Sequence, residues 1–355
     1  MTMSSPEIGQ TRTLEQGDHE EKSIGQPRPP LSYGELVERS PQGSIFAYPW
    51  WLEAVAPGKH EIIEIKRGGA VLCAWPVVRD RSEHGIHYFM PGLTQRLGIL
   101  FAPSSGKSSE VQSMNRRLTL ELLEKVGGFY SFQQNFHENF TDWLPFYWAG
   151  FSQTCRYTYV LEDLSDEKEL WANLRTMCRK EIRKAQKAGI RVVDDFDLSR
   201  FADLNRKTYA RQGLNPEVDD EYVWRLDVAC AKNAGRRIFA GIDSLGRPHA
   251  AVYIVWANGT AYSLIGGGDP ELRQSSANRL AYWEAILFAR TVAKRFDFVG
   301  SILPQVEAFN RSFGAKQLPY FSISKSPPSP ASLREHVKMS AVFRINRLRK
   351  KFGLV

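Results

Sequence analysis

Between residues 249 and 301 the spacing of apolar and polar positions changes character three times, and each change predicts an element. His249 to Ala257 and Thr260 to Ile265 are runs rich in Val, Ile and Tyr, split by Asn258-Gly259, which suits the tight turn of a two-residue β-hairpin. Gly266-Gly267-Gly268-Asp269-Pro270 closes the second run as a corner. From about Ala277 to Lys294, Leu280, Trp283, Ile286, Leu287, Phe288 and Val292 fall nearly all round a helix, which predicts burial against a sheet. Ser275 or Ser276 is placed to cap that helix. Small residues before a helix start leave backbone N–H groups and a partial positive charge exposed, a setting suited to phosphate.

The same reading covers the rest of the chain. Ile45 to Val55 reads as one short helix, and His60–Arg67 and Ala70–Val78 form a second hairpin around Gly68-Gly69. A helix from about Ser113 to Val126 puts Met114, Leu118, Leu122 and Val126 on one face and ends at Gly127-Gly128. Glu167 to Ala188 reads as a single amphipathic helix, with Leu170, Trp171, Leu174, Met177, Cys178, Ile182 and Ala185 on one arc. Arg175, Arg179, Lys180, Arg183, Lys184 and Lys187 take the opposite arc, as either a solvated face or an anion-binding one. Two helices follow, near Asp197–Gln212 and Asp219–Ala234, and then the strand RRIFAGI.

The order of pieces repeats. In each half a hairpin and a helix lead to an aromatic run (FYSFQQ, then FDFVGS), a corner (Gly150-Phe151, then Phe313-Gly314) and a last strand, around Tyr157-Thr158-Tyr159 and Tyr320-Phe321-Ser322. The expected division is a disordered leader at 1–30, one domain at 31–160, a like domain at 161–325 carrying the donor site, and a Pro-rich linker with a basic helix at 326–355.

Composition narrows the function classes only modestly. A formal net charge of +8 permits an anionic partner, whether nucleic acid, lipid headgroup or nucleotide cofactor. Cys73, Cys155, Cys178 and Cys230 are scattered with no CxxC pair, which favours a reducing compartment and argues against a structural metal. The polar start carries no apolar signal-peptide core, and the longest apolar stretch, 249–268, is broken by the hairpin turn, so a cytoplasmic location is expected. FAPSSGKSS lacks the first glycine of a phosphate loop, His84 and His87 have no third ligand nearby, and neither GxSxG nor GxGxxG occurs where its chemistry needs it.

Three stretches in order, RKEIRKAQKAGIRV, GGGDPELRQSSANRLAYWEAI and FDFVGS followed by FNRSFGA, resemble the Fem-type (FemAB-like) branch of the GNAT acyltransferase superfamily; YPWWLEA and MPGLTQRLGI are similar to its N-terminal repeat. The resemblance implies an α/β fold of two tandem GNAT-like domains, each a mixed twisted sheet flanked by helices. It implies acyl-CoA or acetyl-CoA as donor, held at Arg273, Gln274, Ser275, Ser276, Ala277 and Asn278, and no metal. Its acceptor would be an amine of a cell-envelope or polysaccharide precursor, with aminoacyl-tRNA donors and peptidoglycan precursors as the alternative and a non-enzymatic binding module as a second one. Tyr262 is either a general acid or substrate contact, or a tyrosine packed on a sheet; Asp269 and Asp297 are either proton acceptors, or a turn residue and a buried acceptor. Arg211 and Tyr222 are candidate acceptor contacts. The basic tail (VFRINRLRKKF) would pack on the first domain or touch an anionic membrane peripherally at its inner face.

Overall fold

The structure, a computed structural model, describes residues 31–300 and 303–327, so the leader at 1–30 and the basic helix expected after Ser332 lie outside the described residues. In the first half, helices α1 (Tyr33–Arg39) and α2 (Pro49–Val55) precede strands β1 (His60–Arg67), β2 (Ala70–Ser82), β3 (Gly85–Tyr88) and β4 (Leu100–Phe101). Helix α3 (Ser108–Val126), β5 (Ser131–Asn135), the short α4 (Leu144–Trp148) and β6 (Ser152–Leu161) complete it. The second half runs α5 (Glu167–Asn173), α6 (Thr176–Lys187), β7 (Arg191–Val193), α7 (Leu198–Ala210), α8 (Asp220–Asn233), β8 (Gly235–Ile242), β9 (Pro248–Ala257) and β10 (Thr260–Gly268). It ends with α9 (Ala277–Val292), β11 (Arg295–Asp297), α10 (Pro304–Arg311) and β12 (Lys316–Lys325).

Among the described residues the strands join into one mixed sheet in the order β1-β2-β3-β5-β12-β6-β11-β10-β9-β8-β7, with β4 on β2. In that order the halves have traded their last strands. β12 lies against β5 of the first half and β6 against β11 of the second, while β6 and β12 pair with each other along Ser152–Val160 and Lys316–Ser324. The two strands that the sequence repeat equates are thus antiparallel neighbours at the centre of the sheet. The described segment that completes the first half is β12.

β9 shows why its sequence reads as continuously apolar. Ala250, Val252 and Ile254 face one core with α6 and α9, while Ala251, Tyr253 and Val255 face another with α2, α7 and α8. A strand covered on both faces has no polar side to display. The Asn258-Gly259 turn has φ values of 50° and 72°, as a two-residue hairpin requires, and Asn258 accepts from Tyr48 Oη at 2.6 Å, joining the halves.

Two expected helices are broken. Pro49 splits the segment from Ile45 into a 3-10 turn at Ile45–Ala47 and α2, because proline fits the first turn of a new helix better than the interior of an old one. The helix expected over Glu167–Ala188 breaks at Leu174-Arg175: Arg179 donates to the carbonyls of Trp171, Ala172 and Leu174, and Arg175 N bonds Ser312 O. One arginine of the basic stripe therefore serves as a C-cap, and Arg183 lies over the Trp171 ring. Lys180, Lys184 and Lys187 remain exposed.

A buried charge cluster ties the halves together. Asp297 on β11 is 0% exposed and pairs with Arg96 of the first half, while accepting from Thr158 Oγ1 at 2.5 Å and Val299 N at 2.8 Å. Arg96 also faces Glu138 Oε2 at 3.0 Å, and Glu138 pairs with Arg295. Two cations thus face two carboxylates. Removing one member of such a pair strands the other in a dry interior, so Asp297→Ala should cost about 3–5 kcal/mol in denaturant unfolding, and Asp297→Leu combined with Arg96→Met appreciably less. A single-variant loss below about 1 kcal/mol would show that the pair does not hold the halves.

Beside the cluster, burial drives the His137 pKa down to about 4, and its Nδ1 accepts from Asn139 N at 3.1 Å, a bond that protonation would break. The folded value lies below the unfolded value of about 6.5. The contribution of neutral His137 is therefore complete above pH 6.5 and is lost as the pH falls toward 4, by up to about 1.4 kcal/mol per unit. Unfolding titrations of His137→Gln should show a flatter slope in that window; equal slopes would contradict a neutral His137.

Candidate functional site

The site begins where two parallel strands separate. β10 and β11 pair only from Thr260–Arg295 to Tyr262–Asp297. Past Tyr262, β10 continues to Gly268 with β9 on one side and, among the described residues, no strand on the other; α7 side chains take Gly266 O and Gly268 N, and the stretch before Gly266 is left without a strand partner on that side. Val299, at φ 62°, turns the chain away beyond β11, and the Asp297 carboxylate fixes that turn by accepting its N–H. The split opens into a cavity of about 610 Å³. Ser263 to Asp269 form one wall, α7 and the residues after it a second, and the α10 face of Leu303, Val306, Phe309 and Asn310 a third. Gln95 and Leu93 reach in from the first half.

The glycines form the end of β10 rather than a free corner. A Cβ on Gly267 would sit 2.7 Å from Asn205 N and 2.8 Å from Leu204 C, so glycine lets α7 lie directly on the strand. Asn205 Nδ2 donates to Gly266 O at 2.8 Å, and Gly268 N donates to Thr208 Oγ1 at the same distance. These bonds pin the wall.

At the far end of the cavity stands the start of α9. Ser276 precedes it at φ 60°, a left-handed residue that turns the chain into the helix, and its side chain makes no capping bond. Ser275 Oγ instead accepts from Ala277 N at 3.3 Å. Arg273, Ser275, Ala277 and Asn278 line the cavity; Gln274 and Ser276 do not. The Arg273 side chain forms no ion pair among the described residues. Helix-start amides and a nearby unpaired guanidinium suit an anion.

The loop before α9 is braced from behind by a chain of side chains. His249, near the start of β9, places Nε2 at 3.2 Å from Asp243 Oδ2 and Nδ1 at 2.8 Å from Ser275 Oγ. Asp243 also accepts from Leu245 N, Arg247 N and Arg247 Nε in the β8–β9 turn. Sequence reading found no Ser/His/Asp set, because Asp243, His249 and Ser275 meet only through the hairpin and the return of the chain. Here Ser275 Oγ also donates to Leu272 O at 2.9 Å, which suits it to shaping the loop.

Of the three carboxyl and phenol groups singled out for catalysis, only Asp269 reaches the cavity. Its carboxylate bonds Lys207 Nζ at 2.5 Å and Glu271 N at 2.9 Å, and the Lys207 bond holds its pKa below the usual carboxylate range. Tyr262 is 3% exposed, packs edge-on against Phe46 at 5.0 Å in the core that β10 shares with α2, α7 and α8, and does not line the cavity; burial pushes its pKa up to about 12. Asp297 is the interior ion-pair partner already described. Tyr222 spends its hydroxyl on Gly92 O at 2.6 Å and so holds the loop next to Leu93, whereas Arg211 does line the cavity. Tyr282, not singled out from sequence, lines it too and accepts from Ser263 Oγ at 3.2 Å. Among the described residues no group of three or more His, Cys, Asp or Glu side chains is placed to share a metal ion.

Gly267 gives the sharpest steric prediction. Gly267→Ala forces α7 off the strand and should cost about 1–3 kcal/mol. Gly268→Ala, whose nearest neighbour would be His249 O at 3.5 Å, should change unfolding far less. Equal effects in thermal unfolding would refute the close approach.

Residues 172–309 match the family model described as an acetyltransferase (GNAT) domain. A search of curated proteins gives no match. Among solved structures the chain is similar to FemX, with a TM-score of 0.63 at 15% identity over 81% of this chain and 94% of that one. It also matches the C-terminal DUF2156 domain of a putative lysylphosphatidylglycerol synthetase from Agrobacterium fabrum, with a TM-score of 0.48 at 12% identity over 86% and 95% of the two chains. A tandem GNAT protein from the clavulanic acid biosynthesis pathway gives 0.46 at 15% identity over 77% and 86%. Residues 172–309 thus match a GNAT domain, and over most of its length the chain shares the fold of FemX.

Proposed function

We propose that the protein is an N-acyltransferase that moves an acyl group from acyl-CoA to an amine of a cell-envelope or polysaccharide precursor. The observation that carries this reading is the cavity that runs from the β10–β11 split to the start of α9. A donor with a phosphate end and an extended chain matches its two ends: phosphates at the Asn278 amide and Arg273, the chain along β10 from Ser263 toward Gly266, where no strand pairs on the cavity side among the described residues. The acceptor would enter past Arg211, with the Asp269–Lys207 pair fixing charge at the rim.

Transfer is direct in this reading. The amine nitrogen attacks the thioester carbonyl, the C–N bond forms as the C–S bond breaks, and the departing thiolate takes the proton that the amine loses. Ordering both partners in one cavity supplies most of the advantage over the reaction in water. Tyr262 and Asp297 have no part in the proton transfer, because neither reaches the cavity. Aminoacyl-tRNA as donor is the competing proposal, and it would use the exposed Lys180, Lys184 and Lys187.

Thermal shift separates the two. Coenzyme A and acetyl-CoA should raise the melting temperature by mass action. Arg273→Glu with Asn278→Glu, two positions on the cavity wall, should abolish the rise while leaving the unliganded protein within a degree or two of wild type. A shift with charged tRNA alone, lost steeply with salt, would replace the acyl-CoA reading; an undiminished coenzyme A shift in the double variant would move the donor elsewhere.

A further inference from the structure

We propose that the exposed face of α4 is a docking surface for an anionic phospholipid bilayer, whatever the cavity binds. α4 buries Pro145 and Phe146, and Phe146 stands edge-on to Trp75 and Phe136 in the first-half core, which anchors the short helix. Leu144, Tyr147 and Trp148, at i, i+3 and i+4, share its outer face and are 37%, 51% and 56% exposed. Leu120 on α3, also exposed, stands one turn from Arg116, whose guanidinium lies over the Trp148 ring. Apolar side chains scattered singly over a surface are ordinary, but three on one turn with a fourth nearby form a patch.

The chemistry of the patch and of its surroundings selects the partner. Tyr and Trp join an apolar ring to a polar tip, the combination that sits at the headgroup level of a bilayer. Cations flank it: Arg116, paired with Asp142, and Lys325, whose Nζ donates to Ala149 O at 2.7 Å just past the end of α4. Lys325 ends β12, and the described residues stop at Pro327, two positions on. The sequence that follows, 328–355, carries seven Lys or Arg against one Glu, five of the seven between Arg344 and Lys351. That charge is tethered beside α4 and complements an anionic surface. A single weak anchor binds a membrane only marginally, whereas an apolar anchor and a basic cluster together hold. Trp224 and Val228 on α8 are exposed to a similar degree, but the first turn of that helix carries Asp220 and Glu221, which an anionic surface repels.

The experiment measures co-sedimentation of the full chain with vesicles of phosphatidylcholine alone and of phosphatidylcholine mixed with phosphatidylglycerol. The wild type should bind the anionic vesicles, less tightly as salt rises, and leave the neutral ones largely unbound. Leu144→Ser, Tyr147→Ser and Trp148→Ser combined should weaken anionic-vesicle binding by about tenfold or more while melting close to wild type. Trp148→Ser alone should weaken it by a smaller factor, which keeps the test decisive if the triple variant melts lower. Trp224→Ser with Val228→Ser should bind as wild type does. No wild-type binding to anionic vesicles, undiminished binding in both α4 variants, or an equal loss in the α8 variant would overturn the proposal. If the α4 substitutions instead turn a dimer into a monomer, or lower the melting temperature of a chain that never sediments with vesicles, the face belongs to a second copy or to residues 328–355, and the proposal falls.

Discussion

Arg96 and Asp297 meet in the interior from positions 201 residues apart, and the arrangement of both halves depends on that meeting. Asp297 ends the short β11, where a parallel pairing with β10 stops and an antiparallel pairing with β6 continues the sheet. Its carboxylate also accepts from Thr158 on that exchanged strand and from Val299 in the turn that leads away from the split. One side chain thus joins the junction between the halves to the turn beside the split. A buried ion pair stabilises weakly relative to an apolar substitute, and what it contributes here is a fixed set of partners drawn from both halves.

From that junction the site follows mechanically. The split opens the cavity beside β10, Gly267 lets α7 close one side, and α10 closes the other. The relay from Asp243 through His249 to Ser275 holds the loop before α9, so that the first helical amides face the cavity without needing the Ser276 side chain as a cap. The first half contributes more than a scaffold. Gln95 and Leu93 enter the cavity wall, and Trp51 and Leu52 of α2 pack in the core beneath β10.

What the sequence reveals is what local chemistry decides. The Asn258-Gly259 turn, the apolar β9 and the all-round apolar α9 each carry their signal within a few residues, and each is present as expected. The loop before α9 is likewise one short stretch, and of its residues Arg273, Ser275, Ala277 and Asn278 line the cavity. The residues that sequence leaves open are those whose surroundings are set by partners far along the chain. Asp297 reads equally as a proton acceptor or a buried acceptor until Arg96 and Thr158 are beside it, Tyr262 as a catalytic or a packed tyrosine until Phe46 covers it, and Tyr222 as a contact until Gly92 takes its hydroxyl. The break at Leu174 depends on Ser312 and on a long side-chain reach from Arg179.

The central claim is that a phosphate-bearing donor lies in the cavity between β10 and the start of α9. Hydrogen–deuterium exchange of the full chain with and without coenzyme A tests it most directly, because it reports on the backbone amides themselves. The account predicts slowed exchange at residues 264–268 and 277–280, with little change in β1 and β2. Slowing confined to the first half, or none anywhere at saturating coenzyme A, would contradict it.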